Sequence, residues 1–222
     1  MARPRKSEPT RLALLQAGMA LLTLKGYHGT GIKQILDEVN VPKGSFYNFF
    51  DSKADFVAAI IRYYGEQIST EYQSLKADVA HLPELSQLQL IFKSKVARRQ
   101  ADSPTCACLI GAMSSEIAQS SQVCQQALVE IESQWLSQLS GQFMQAQLQL
   151  DVRQDMRPEQ LARLFYNHWQ GSLLHYQVCD DVQVIITALD DFLCLVATEQ
   201  GVINLKQTRV AVQVTEPTKA IT

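Results

Sequence analysis

The stretch VPKGSFYNFFDSK, Val41 to Lys53, packs four aromatic side chains, two lysines and a Gly-Ser pair into thirteen residues. Rings at that density either fill a core or meet a partner, and the choice between the two decides the fold. The stretch follows a short apolar-periodic segment that ends at Asn40. Pro42 disfavours helical geometry in the residue before it and is itself well placed near a helix start. Asn40, Val41 and Pro42 therefore separate two short helices. The second, about Lys43 to Phe49, is too short to stand without packing on its neighbours.

Upstream, Leu12, Leu15, Ala17, Met19, Leu22 and Leu24 recur at three- and four-residue steps, so a first helix is expected from about Pro9 to Lys25, with Gly26 just past its end. Thr30 is placed to cap a second helix whose apolar face is Ile32, Ile35, Leu36 and Val39. Two short helices joined by a tight turn, braced by longer helices on either side, make a helix-turn-helix. In that arrangement the last short helix offers its N-terminal residues to the DNA major groove. Phe46 and Phe50, four residues apart, are then the buried pair, while Lys43, Gly44, Ser45, Tyr47, Asn48 and Phe49 are left to face the duplex. Lys43 and Asn48 suit base edges, Gly44 permits close approach, and Ser45 and Tyr47 suit phosphate oxygens. Lys53 opens the next helix beside its expected cap, Ser52, where its charge and the free N–H groups attract a phosphate.

Charge agrees with that reading. Residues 1–53 hold eight Lys and Arg against four Asp and Glu, a net of +4, and the chain as a whole carries −2, so the remainder carries −6. A basic head on an acidic body is what phosphate binding by one end requires. The 46% apolar and 19% charged residues are those of an ordinary globular chain, and no apolar run is long enough to span a bilayer. The basic start MARPRKSEPT has no apolar stretch or small-residue cleavage site after it, so a cytosolic protein without a secretory signal is expected. Five cysteines without a C-x-x-C spacing argue against a disulfide frame and against a zinc site. There is no G-x-S-x-G, H-E-x-x-H or glycine-rich phosphate loop, so neither an enzyme nor a cofactor is expected.

The body reads as further helices. One runs from Ser52 to about Lys76 and bridges head and body; another follows Pro83 to the ARRQADSPT break; then come CLIGAMSSEIA, a long segment from about Gln122 to Gln149, a penultimate helix opened by Pro158, and a last strong helix from about Asp181 to Thr198. The run VQVIITALDDFLCLVA is more apolar than one solvated helix tolerates, so the two closing helices are expected to pack on a partner as a four-helix dimer interface. The tail, 201–222, alternates in polarity as a short strand or disordered chain would, and receives no role.

The arrangement GYHGTGIKQILDEVNVPKGSFYNFFDSKADFVAAII resembles the DNA-binding domain of the TetR family of bacterial transcriptional regulators, over about residues 8–68. Gly26 with Thr30, Ile35-Leu36, Val41, Gly44-Ser45, the Tyr-x-x-Phe run and Lys53 fall in family order; Asn40 departs from it, where alanine or glycine is more usual. The resemblance implies an all-α fold, with a ligand-binding and dimerisation domain over 69–200. It implies DNA contacts at Thr30, Lys33, Lys43, Ser45, Tyr47, Asn48, Phe49 and Lys53. It further implies a homodimer on a palindromic operator in double-stranded DNA, controlled by a small-molecule effector. A repressor released by such an inducer is the expected function; a ligand-dependent activator or a helical carrier without DNA binding are the alternatives.

TCACLIGAMSSEIA resembles a G-C-L segment of a subgroup that answers to electrophiles or small acids, with Cys108 in the matching place, Ala107 where glycine is usual and Cys106 as an addition. A thiol near a helix N-terminus is partly thiolate and reactive, whereas a small apolar residue packed in the bundle is the plainer reading of both cysteines. These two, with Met113 in the same segment, are the candidate sensing residues. Trp135, Phe165, His168, Trp169, His175 and Tyr176 are candidate walls of an effector pocket, with core or dimer seam as the alternative.

Overall fold

The computed structural model describes residues 8–102, 116–117 and 121–215. Among them the chain is all-α, with one isolated antiparallel bridge between Val152 and Ala197. No helix among the described residues is long and apolar enough to cross a membrane. The chain divides into two compact units: residues 1–71 with 107–134, and residues 72–106 with 135–222. This differs from a linear boundary near residue 68, because the first part of a later helix packs with the head.

In the first unit, α1 (Glu8–Gly29) is interrupted at Gly26, whose φ of 70° and ψ of −177° leave helical space. Glycine adopts that backbone without strain, so the helix breaks where the sequence placed its end and one further turn follows. The buried stripe is Leu14, Leu15, Gly18 and Leu22; Leu12 and Leu24, expected inside, are exposed. The stripe shifts because Gly18 sets the approach of α4 (Lys53–Asp78): a Cβ there would fall 2.6 Å from both Ile60 and Phe56. Ser52 caps α4 as expected, its Oγ accepting from Asp55 N–H at 3.0 Å while Asp55 accepts from Asp51 N–H at 3.0 Å. The first part of α6 (Gln122–Leu148) lies against α4 in this unit. Cys124 donates its thiol hydrogen to Ala54 O, and Arg62 pairs with Glu130 at 2.9 Å.

The second unit contains α5 (Glu84–Asp102), the rest of α6, α7 (Pro158–Cys179), α8 (Gln183–Val196) and α9 (Glu199–Thr215). Leu85, Leu88 and Phe92 of α5 meet Leu139 and Phe143 of α6, Phe165 of α7, and Leu189 and Phe192 of α8 in one core. Pro158 opens α7 as its position suggested, and Asp180, in left-handed conformation at φ 53°, closes it. Asp190 of α8 accepts from Gln89 and Lys93 of α5, at 2.8 and 3.0 Å.

The tail is corrected. Neither a strand nor disorder is found from Glu199 to Thr215: the chain forms α9, which makes Pro158's helix the third from last among the described ones. Tertiary contact overrides the alternating pattern. Gly201, Leu205 and Thr208, at helical spacing, are buried, and Asn204 donates to Asp151 Oδ1 at 2.7 Å. Residues 216–222 lie outside the described residues.

Candidate nucleic-acid interface

The short helices are built by local chemistry. In α2 (Ile32–Glu38), Ile35 and Leu36 are buried as their spacing indicated. Its end is a Schellman motif: Val41 N–H donates to Leu36 O at 3.0 Å, Asn40 N–H reaches Asp37 O at 3.4 Å, and Asn40 sits at φ 53°. Asparagine is the non-glycine residue that tolerates this conformation best, which accounts for the departure noted at this position. Pro42 then holds an extended backbone as the N-cap of α3 (Lys43–Phe46). The helix is shorter than the expected 43–49. Its last turns tighten instead, with Phe49 and Phe50 N–H groups both donating to Phe46 O.

Phe46 and Phe50 are buried, at 0% and 3% exposure, with ring centres 5.3 Å apart, and Phe56 of α4 closes the cluster at 5.2 and 4.7 Å from them. Aromatic packing of this kind fixes a helix too short to hold itself. On the opposite side Lys43, Gly44, Tyr47 and Asn48 are exposed, Tyr47 by 50%, and Ser45 is half-buried. Lys33 is exposed on α2. The structure thus brings six of the nine DNA candidates onto or beside the free side of the two short helices.

Three candidates are placed differently. Thr30 is only 1% exposed, and its hydroxyl donates to Gly26 O at 2.8 Å and Leu21 O at 3.2 Å. It does not cap α2, whose N-cap is Gly31, and its side chain is withdrawn from any duplex because it ties α2 back to α1. Phe49 is half-buried and lines a cleft of about 290 Å³ with Arg11, Leu15 and Tyr63. Lys53 turns inward: its ammonium donates to Tyr27 O at 2.7 Å and lies 4.4 Å from the Tyr27 ring centre. Burial pulls that ammonium below the usual lysine range, with the nearby Glu116 carboxylate acting in the opposite sense.

Glu116 is the residue sequence reasoning missed. Its carboxylate accepts from Tyr27 N–H at 2.7 Å and His28 N–H at 3.3 Å. Nothing local could reveal a partner 89 residues away. The available hint was negative: KGYHGTG has no Ser, Asp or Asn ahead of the turn at Tyr27 to supply the missing acceptor.

Of the effector candidates, Cys106, Cys108 and Met113 lie outside the described residues. Trp135 and Trp169 are partly buried, packed edge-on against Tyr72 and Phe92 at 5.4 and 4.7 Å. The ammonium of Lys95, a residue only 4% exposed, stands 5.3 Å from the Trp135 ring. Phe165 is buried in the middle of the core and Tyr176 is nearly so. His168 and His175 are both exposed, and His168 Nε2 lies 2.8 Å from Ala188 O, which joins α7 to α8. Among the described cysteines, Cys124 is buried with its thiol pushed up by desolvation, and Cys179 and Cys194 are exposed.

A basic, aromatic-anchored helix-turn-helix joined to a separate helical unit defines a DNA-binding transcriptional regulator. Residues 14–60 match the family described as bacterial regulatory proteins, tetR family, and residues 85–192 match the tetracyclin repressor-like C-terminal domain. The chain is 31% identical over 175 residues to the transcriptional regulator AcuR of Cereibacter sphaeroides, covering 78% of this chain and 80% of that one. It is 29% identical over 188 residues to the HTH-type transcriptional repressor DhaR of Mycobacterium sp. strain GP1, covering 85% and 90%. A crystal structure of a regulatory protein TetR from Rhodobacter sphaeroides superposes with a TM-score of 0.76 at 27% identity, covering 83% of this chain and 97% of that one. The protein belongs to the TetR family, and its relatives are regulators of transcription, not enzymes.

Proposed function

We propose that the protein is a homodimeric repressor that holds a palindromic operator through α3 and releases it when a small molecule or electrophile binds the second unit. The observation that carries this reading is the free side of the two short helices. Lys33, Lys43, Gly44 and Asn48 stand exposed, and Tyr47, half exposed, rests edge-on against Phe46 of the Phe46–Phe50–Phe56 anchor. Lys43 and Asn48 read base edges, and Ser45 and Tyr47 position the backbone.

Dimerisation is supported by an apolar stripe. Leu164, Leu174 and Val178 of α7 and Leu195 of α8 are exposed, Val178 by 85%. Leu164 and Val178 are fourteen residues apart, with Gly171 midway and Leu174 one turn before Val178, which puts them along one face of α7. A two-fold pair places two α3 helices in successive major grooves about 34–36 Å apart. Effector coupling of about 1–3 kcal/mol weakens such binding about 5–150-fold. Cys106 and Cys108 are the proposed targets of an electrophile, and the Trp135 and Trp169 region that of a small molecule.

The test is fluorescence anisotropy on a duplex enriched by the full-length protein from a random pool, with a promoter reporter beside it. A dimer-sized complex on an inverted repeat, and reporter output that rises when the gene is deleted, are expected. A monomer that binds no duplex sinks the reading; output that falls on deletion makes the protein an activator.

A further inference from the structure

We propose that Glu116 is the positioning residue of the DNA-reading head: it holds the turn through which α2 and α3 are oriented on α1 and α4. The inference rests on the DNA-binding reading above.

The break at Gly26 frees the N–H groups of Tyr27 and His28 from the α1 ladder, and such donors need an acceptor. The carboxylate of Glu116 takes both, at 2.7 and 3.3 Å. It does so at close quarters, since a Cβ on Gly26 would lie 2.6 Å from Glu116 Oε1. The carbonyl of Tyr27 is meanwhile held by Lys53, the first residue of α4. The backbone of Tyr27 is thus clamped at both its N–H and its carbonyl by charged groups from two other parts of the chain. Three residues on, Thr30 returns its hydroxyl to Gly26 O and Leu21 O, so the start of α2 is referred to the same turn. The orientation of the exposed Lys43–Asn48 side is inherited from this point.

Glu116 does not belong to the helix-turn-helix. It sits in the stretch of chain between α5 and α6, 88 residues beyond His28. Removing this one carboxylate therefore tests the turn without touching α2, α3 or any DNA-facing side chain. Charge-assisted bonds are the strong ones, and losing a carboxylate acceptor leaves two donors to find water.

The experiment compares full-length wild type with Glu116→Ala and Glu116→Gln on the duplex enriched by wild type. Glu116→Ala is expected to bind about tenfold more weakly, within the range of ordinary coupling. Its dependence of log affinity on log salt should be unchanged, because no phosphate contact is removed. Tyr27 and His28 amide hydrogens should exchange faster in this variant, and Glu116→Gln, which keeps an acceptor oxygen, should recover most of the affinity. Wild-type affinity in Glu116→Ala overturns the proposal, as does a loss that only follows the fraction unfolded in a thermal melt. Failure of wild type to bind any duplex is a different result: it removes the DNA reading, while unchanged Tyr27 and His28 exchange in Glu116→Ala would remove the clamp.

Discussion

The Lys53 ammonium is 2.7 Å from the carbonyl oxygen of Tyr27 and 4.4 Å from the centre of its ring, so the residue that opens α4 grips the turn after α1. Its charge is engaged inside the head, whereas Lys43 stands exposed on α3. The two lysines should separate in experiment. Lys43→Ala is expected to weaken duplex binding by about 1–3 kcal/mol and to relax the preference at the base it reads, with the slope of log affinity against log salt and the melting temperature near their wild-type values. Lys53→Met is expected to cost about 1 kcal/mol of stability, the net worth of a partly exposed hydrogen bond, and to leave the slope near the wild-type value. Salt titrations followed by anisotropy, beside thermal melts, check both.

Phe46 has no exposure and touches Phe50 and Phe56 with ring centres 5.3 and 5.2 Å away. Phe46→Ala should cost about 3–5 kcal/mol, as large-to-small changes in tight cores do, and abolish duplex binding. Urea unfolding monitored by circular dichroism gives the number. Tyr47→Ala, on the exposed side, should weaken duplex binding with little change in the same unfolding curve.

Asn40 sits at φ 53° in the Schellman turn between α2 and α3. Asn40→Gly is expected to be neutral or mildly stabilising, and Asn40→Val to cost about 1–2 kcal/mol, the penalty of left-handed backbone for a residue with a Cβ branch. A melt of each variant against wild type decides it.

Asp151 is 1% exposed, with Oδ1 accepting from Asn204 of α9 and Oδ2 buried. Burial pushes its carboxyl above the usual aspartate range, more than the Asn204 bond pulls it down. The folded state therefore holds this proton more tightly than the unfolded chain. Its contribution is full below the unfolded aspartate pKa, near 3.9, and is lost as pH rises through the higher folded value. Asp151→Asn, which cannot ionise, should gain stability relative to wild type as pH rises from about 4 toward neutrality. Denaturant midpoints across that range should show the difference growing with pH; a constant difference would exclude the effect.

Much of the head was legible before any coordinates. The order of the helices, the break at Gly26, the turn at Asn40 to Pro42, the Ser52 cap and the Phe46–Phe50 pair all rest on local rules: spacing, proline and glycine geometry, and capping. Those rules act within a few residues, so a sequence displays them directly.

They also explain the errors. Thr30 has the chemistry of an N-cap, but at a broken helix end its hydroxyl met two nearer carbonyls, of Gly26 and Leu21. The 201–215 segment has the alternation of a strand, yet Gly201 and Asn204 found a surface at Asp151, and Leu205 the core, and the segment became a helix. Lys53 carries the charge a phosphate needs, and the fold turned it toward Tyr27.

By itself, then, the order of residues determined that most of this chain is helical, that a helix-turn-helix lies near its start, and which aromatic pair anchors α3. Only the tertiary structure decided which charges stay free for a partner and which close the fold, because a hydrogen bond such as Glu116 to Tyr27 depends on distance in space, and 89 residues of sequence hold no trace of it.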